Sequence, residues 1–133
     1  MDNIFSTLKS LLNERILILD GAMGTMIQKY KLTEKDFRGE RFKNHFSDLK
    51  GNNDLLSLTQ PEIIKSIHKE YLDAGADIIE TNTFNSTKIS QADYNTEDIV
   101  YELNFTAAKL AKEAIQEFKI KNPNALKFVA GAI

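Results

Sequence analysis

Four consecutive apolar residues, Ile16-Leu17-Ile18-Leu19, run directly into Asp20 and Gly21. A segment that is apolar at every position has no face to give to water. It therefore reads as a short strand buried on both faces, as in a parallel sheet covered by helices. Asp77-Ile78-Ile79-Glu80-Thr81 and the stretch from Lys127 to Ile133 are the expected second and third strands.

Helical spacing fills the intervals. Ile4, Phe5, Leu8, Leu11 and Leu12 form one stripe, predicting a helix within residues 1–14, with Asp2 or Asn3 as its cap. Thr59-Gln60-Pro61-Glu62 has the form of a capping box with an early proline. Behind it, Ile63, Ile64, Ile67, Tyr71 and Leu72 share a face, and Gly75 is placed as a left-handed C-cap. Thr96 is placed to cap a long helix whose apolar positions run from Ile99 to Phe118 and which Asn122-Pro123 stops. Its Lys and Glu residues read as a solvent face. Residues 31–58 are polar and weakly periodic, and read as a long, partly helical loop. Loops of that length are more often functional than ornamental.

Alternating strands and helices imply crossover connections and a parallel sheet. Pattern alone leaves a doubly wound open sheet and a (β/α)8 barrel in competition. With 133 residues the chain is one domain at most, and its net charge of −2 lacks the basic surplus of a nucleic-acid binder. The longest apolar run is four residues, too short to span a membrane, and Met1-Asp2-Asn3 does not open a signal peptide. Cytoplasm is the expected location. There is no cysteine, so these residues hold no disulfide and no thiolate metal site.

In either parallel architecture the C-terminal ends of the strands form the ligand face. Asp20, Gly21, Ala22, Met23 and Gly24 follow the first strand. The glycine spacing fits neither GxGxxG nor GxxxxGK[ST], which weighs against a phosphate. An acid beside a turn rich in amides suits a zwitterion instead, the acid facing an ammonium. The plainer alternative is that Asp20 caps the next helix and the glycines only make the turn. Glu80-Thr81-Asn82-Thr83-Phe84-Asn85 closes the second strand, five of the six polar. A carboxylate late in a buried strand needs a partner, so Glu80 is expected either to be paired there or to meet a ligand. His68 is read as flanking its helix stripe and His45 as lying in the polar loop, neither as a ligand.

Four segments, in order, carry a resemblance. Ile18 to Gln28 resembles the opening strand and turn of cobalamin-dependent methionine synthases. Leu32 to Phe42 resembles their next segment, Asn53 to Pro61 the entry to the second helix, and Ala74 to Phe84 the second strand and its loop. The stretch from Asp36 to Phe42 favours that family over smaller homocysteine methyltransferases, which share mainly the Asp-Gly turn and the Thr-Phe loop.

The resemblance implies an α/β fold, an incomplete (β/α)8 TIM barrel comprising the first three strands with their helices, over residues 1–133. It implies transfer of a methyl group from methylcobalamin, recharged from methyltetrahydrofolate, to zinc-activated homocysteine, giving methionine. Asp20, Gly21, Ala22 and Met23 match the turn that holds the amino-acid end of homocysteine, and Glu80, Asn82 and Thr83 match the strand-two end of the same pocket. No catalytic residue and no metal ligand is expected in this stretch. The zinc cysteines, the cobalamin and folate modules and the remaining strands are expected beyond Ile133, where the chain stops inside a strand pattern, so these residues alone are expected to be inactive. The alternatives are a stand-alone homocysteine methyltransferase using another methyl donor and a non-catalytic split-barrel subunit.

Overall fold

Three parallel backbone segments set the frame. The structure, a computed structural model, describes residues 3–133. Two of the segments are strands: β1 (Ile78–Glu80) and β2 (Phe128–Ala130) pair in parallel, with Ile79 opposite Val129. The third is the Ile16–Leu19 run, which lies along the other edge of β1 and meets it in a single parallel bridge, Leu19 to Ile78. Asp77 N donates to Ile18 O at 2.8 Å and Asp20 N to Ile78 O at 2.9 Å.

The expected first strand is therefore corrected to one bridge residue, and the fold to an α/β arrangement with a two-stranded sheet. Nor is the run buried on both faces, since Ile16 is 87% and Ile18 58% exposed. Among the described residues the segment has a strand neighbour on one side only, and the amide of Ile18 goes to the Asp77 carboxylate at 2.9 Å rather than into a ladder. The third stretch is similarly short. Beyond Ala130, the N–H and C=O of Ala132 go to the hydroxyls of Thr81 and Thr83.

The helices follow in chain order as α1 (Ile4–Glu14), α2 (Met23–Gln28), α3 (Glu34–Arg38), α4 (Leu56–Thr59), α5 (Pro61–Asp73), α6 (Lys88–Gln91) and α7 (Val100–Lys121). Asn3 caps α1 by accepting from Phe5 N, while Asp2 lies outside the described residues. The expected loop over residues 31–58 contains α3, a 3-10 turn at Asn53–Leu55 and most of α4. Two capping expectations are corrected. Thr59 is already helical in α4 and its hydroxyl bonds back to Leu55 O, so α5 starts from Gln60 with Pro61 in its first turn. The Thr96 hydroxyl turns inward to Gln91, and α7 begins at Val100 behind a 3-10 turn. A capping box does form at Thr33 and Asp36, opening α3.

The core lies between α5 and α7, the helices ahead of each strand. Ile64, Ile67 and Leu72 meet Leu103, Leu110 and Ile115 there, all buried. Full burial of such a side chain stabilises by about 1.5–3 kcal/mol. Ala107, Ala111 and Ala114 keep the α7 face small where the helices approach. Gly75 has φ +108°, and Ala76 N bonds back to Tyr71 O, the left-handed helix end that the sequence predicts. Part of the expected solvent face of α7 is ion-paired, because Glu117 meets Lys69 at 2.8 Å and Lys65 at 3.3 Å on α5.

At the N-terminal end of β1, Asp77 is clamped by both guanidinium nitrogens of Arg15 at 2.9 Å, with Lys127 at 3.6 Å. The Arg15 hydrogen bonds hold the Asp77 carboxyl well below the usual range. This ion cluster ties the first segment to both strands and leaves the opposite end of the sheet for the site.

Candidate functional site

The C-terminal ends of the three segments open into a cavity of about 570 Å³. All seven expected site residues line it: Asp20, Gly21, Ala22 and Met23 on one side, Glu80, Asn82 and Thr83 on the other. Asp20 enters directly from the Leu19 bridge. Its Oδ2 accepts from Glu80 N at 3.1 Å, and its Oδ1 is buried without a partner among the described residues. Burial pushes the Asp20 carboxyl up to about 6; the bond from Glu80 N opposes the shift and the nearby Glu80 carboxylate reinforces it.

Gly21 follows, in close approach to Tyr71. A Cβ there would stand 3.0 Å from the Tyr71 hydroxyl oxygen and 3.1 Å from its ring. Tyr71, on α5, donates to Ala22 O at 3.2 Å, so the turn rests on that ring. Ala22 is the N-cap of α2, whose first turn carries no acid. The first N–H groups of a helix have no intrahelical partner.

The opposite wall is built differently from expectation. Glu80 is exposed, with no side-chain bond to another described residue, so the partner expected for a buried strand carboxylate is not needed. Asn82 and Thr83 are buried, and their donors are engaged in the fold. Asn82 Nδ2 lies 2.9 Å from Asn53 O and 3.3 Å from Ser57 Oγ. Thr81 Oγ1 accepts from Ala132 N, leaving its proton for Thr83 Oγ1 at 2.7 Å, and Thr83 in turn donates to Ala132 O. These two residues shape the wall, whereas Asp20 and Glu80 keep unpaired oxygens.

Sequence reasoning missed Asn53, Asp54 and Ala132 as lining residues. Asp54 is buried, accepts from Asn85 N at 2.8 Å and Ser86 Oγ at 2.6 Å, and has its carboxyl pushed up by burial. The one available signal was the polar triplet Asn52-Asn53-Asp54 standing against Leu55-Leu56. The lining as a whole holds three acids, Asp20, Asp54 and Glu80, and no Lys, Arg or His. Such a cavity favours a cationic group such as an ammonium over a phosphate.

Both histidines lie away from it. His45 Nε2 is 2.8 Å from Tyr94 O. His68 is corrected from a flanking position to a fully buried one, because Ile64, His68 and Leu72 form one i, i+4, i+8 row on α5. Neither of its ring nitrogens has a partner among the described residues, and burial lowers it to about 4. Among the described residues no three His, Cys, Asp or Glu side chains are grouped as a metal site, and no helix is long and apolar enough to cross a membrane.

The fold is similar to part of that of solved proteins. The chain is similar to the homocysteine methyltransferase MmuM from Escherichia coli. Against the oxidized form of that protein the TM-score is 0.73 at 26% identity, covering 98% of this chain and 40% of that one. Against the metallated form it is 0.71 at 24% identity, covering 93% and 40%. The chain thus spans about two fifths of the length of these structures and shares part of their barrel. Residues 17–133, from the first apolar run to the segment after β2, match the family described as homocysteine S-methyltransferase. With its cavity placed where those strands end, the chain belongs to the homocysteine S-methyltransferase family.

Proposed function

We propose that these residues supply the amino-acid-binding part of a (β/α)8 barrel that methylates homocysteine to methionine. The observation that carries the reading is the cavity, lined by three acids and no cation, into which Asp20 brings an unpaired buried oxygen. The ammonium of homocysteine pairs with Asp20, with Glu80 adding negative charge beside it. The amides of the Gly21–Met23 turn are the complementary donors for its carboxylate. Asn82 and Thr83 hold the facing wall, so the thiol is directed away from the turn toward the open side of the cavity.

In this reading the methyl donor is methylcobalamin, recharged from methyltetrahydrofolate, and the protein works in the cytoplasm with folate and cobalamin modules and the other strands of the barrel as its partners. The stretch from Asp36 to Phe42, which resembles methionine synthases more than the smaller homocysteine methyltransferases, supports that donor. Zinc, when bound, lowers the pKa of a thiol and presents it as a thiolate. The residues here do not fit it: the sequence has no cysteine, and the described residues offer no three-ligand cluster. A zinc ion would therefore be held by residues outside these 133.

Two donors separate the readings. The full-length protein carrying this chain is expected to form methionine from homocysteine with methylcobalamin. Turnover with S-methylmethionine and none with methylcobalamin would overturn the cobalamin assignment in favour of a stand-alone homocysteine methyltransferase.

A further inference from the structure

We propose that Asp54 is a positioning residue, fixing the loop after β1 and with it the shape of the amino-acid cavity. The inference rests on the homocysteine-binding reading above. Between Thr81 and Thr87 the chain has no helix or strand to hold it. That stretch nonetheless carries Asn82 and Thr83 on the cavity wall and Phe84, 86% exposed, at its mouth.

The turn at residues 52–57 holds the loop from one side, while Gln91 Nε2 donates to Asn85 O at 3.0 Å and Asn104 Nδ2 to Ser86 O at 2.9 Å from α6 and α7. Asp54, 2% exposed, accepts from Asn85 N at 2.8 Å and Ser86 Oγ at 2.6 Å, both on one carboxylate oxygen. On the same turn, Asn53 O and Ser57 Oγ take the Asn82 amide. Asn52 and Gln91 exchange side-chain amide bonds at 2.8 and 3.1 Å. Two attachments thus join the turn to the loop, of which only that of Asp54 is charged, while Asn52 ties the turn to α6 through Gln91. A buried carboxylate is tolerated when it is hydrogen-bonded, and bonds to an ionised acceptor are the stronger kind. Release of the loop would leave the carboxylate unpaired, so its burial and the closed position of residues 83–86 are one state. Asp54 also lines the cavity, so displacement of the loop alters the wall that faces Asp20.

Local amide exchange and homocysteine affinity test this in the full-length protein. Asp54→Ala is expected to raise the homocysteine Kd about tenfold, as fits a lost charge-assisted bond. It is also expected to abolish slow exchange at the Asn85 amide while the amides of α5 and α7 exchange as in wild type. Asp54→Asn, whose side-chain oxygen can still accept both bonds, is expected to restore Asn85 protection and most of the affinity. Ser86→Ala removes one of the two donors and should give an intermediate effect, and it serves if Asp54→Ala does not fold. Wild-type affinity and Asn85 protection in Asp54→Ala would overturn the inference, as would faster exchange spread evenly over the core helices. If the wild-type protein itself does not bind homocysteine, the ligand reading falls, and the Asn85 amide alone then decides whether Asp54 holds the loop.

Discussion

At the residue scale the site turns on one carboxylate with two different oxygens. Asp20 Oδ2 accepts from the Glu80 amide, and Oδ1 is buried and unpaired. Burial raises the carboxyl to about 6, so in the empty cavity it takes up a proton more readily than an exposed aspartate. A bound ammonium favours the ionised form, and below that pH its binding must displace the proton. The Asp20-dependent part of homocysteine affinity, read as the ratio of wild type to Asp20→Asn, is therefore expected to be constant from pH about 6 to about 8 and to fall about tenfold per pH unit below about 6. Calorimetric titrations of both proteins across that range check this, and a pH-independent ratio would remove Asp20 from the ammonium contact. That Asp20, Gly21 and Glu80 line one cavity was legible in the sequence because each sits beside a short apolar run whose C-terminal end opens into it. Asp54 was not. It comes from an aperiodic stretch and holds residues 31 and 32 positions further along, a pairing that no local pattern encodes.

At the element scale, α5 carries both a support and a weakness. Tyr71 props the Gly21 turn, whereas His68, one turn earlier, is sealed in the core with no partner for either nitrogen among the described residues. Its value in the folded chain, about 4, lies below the ordinary 6.5. The unfolded chain thus binds the extra proton more readily, and the His68 contribution to stability falls as pH drops from 6.5 toward 4, then levels. A depression of this size corresponds to about 3 kcal/mol. His68→Leu is expected to remove that part of the acid sensitivity, seen as a flatter urea midpoint between these pH values; an unchanged pH dependence would contradict it. The position of His68 was misjudged from sequence although Ile64 and Leu72 were read as core, because a polar residue between them at i, i+4, i+8 spacing was set at the flank of the stripe. Thr59 and Thr96 were misread for a related reason: each looks like a cap locally, but one is preceded by a helical turn and the other is drawn to Gln91.

At the scale of the whole molecule, the alternation of apolar runs and amphipathic helices was enough to identify parallel α/β architecture. The length of each strand was not legible, because pairing depends on neighbours that lie far off in sequence. Ile16 and Ile18 on the first segment, and Ile4, Phe5 and Leu12 on α1, remain exposed. Exposed apolar surface of this extent marks an interaction site or an aggregation liability. The 133 residues by themselves are accordingly expected to self-associate in sedimentation experiments. They are also expected to form no methionine from homocysteine and methylcobalamin, and turnover by this stretch alone would contradict the account.

The central claim is that the Asp20 cavity holds the amino-acid end of homocysteine. Titration of L-homocysteine into the full-length protein carrying this chain, wild type beside Asp20→Asn at near-neutral pH, tests it most directly. Saturable binding by the wild type and a loss of about tenfold or more in the variant are expected, since the amide removes the charge that faces the ammonium. Equal affinity in the two proteins, or no binding by the wild type, would contradict it.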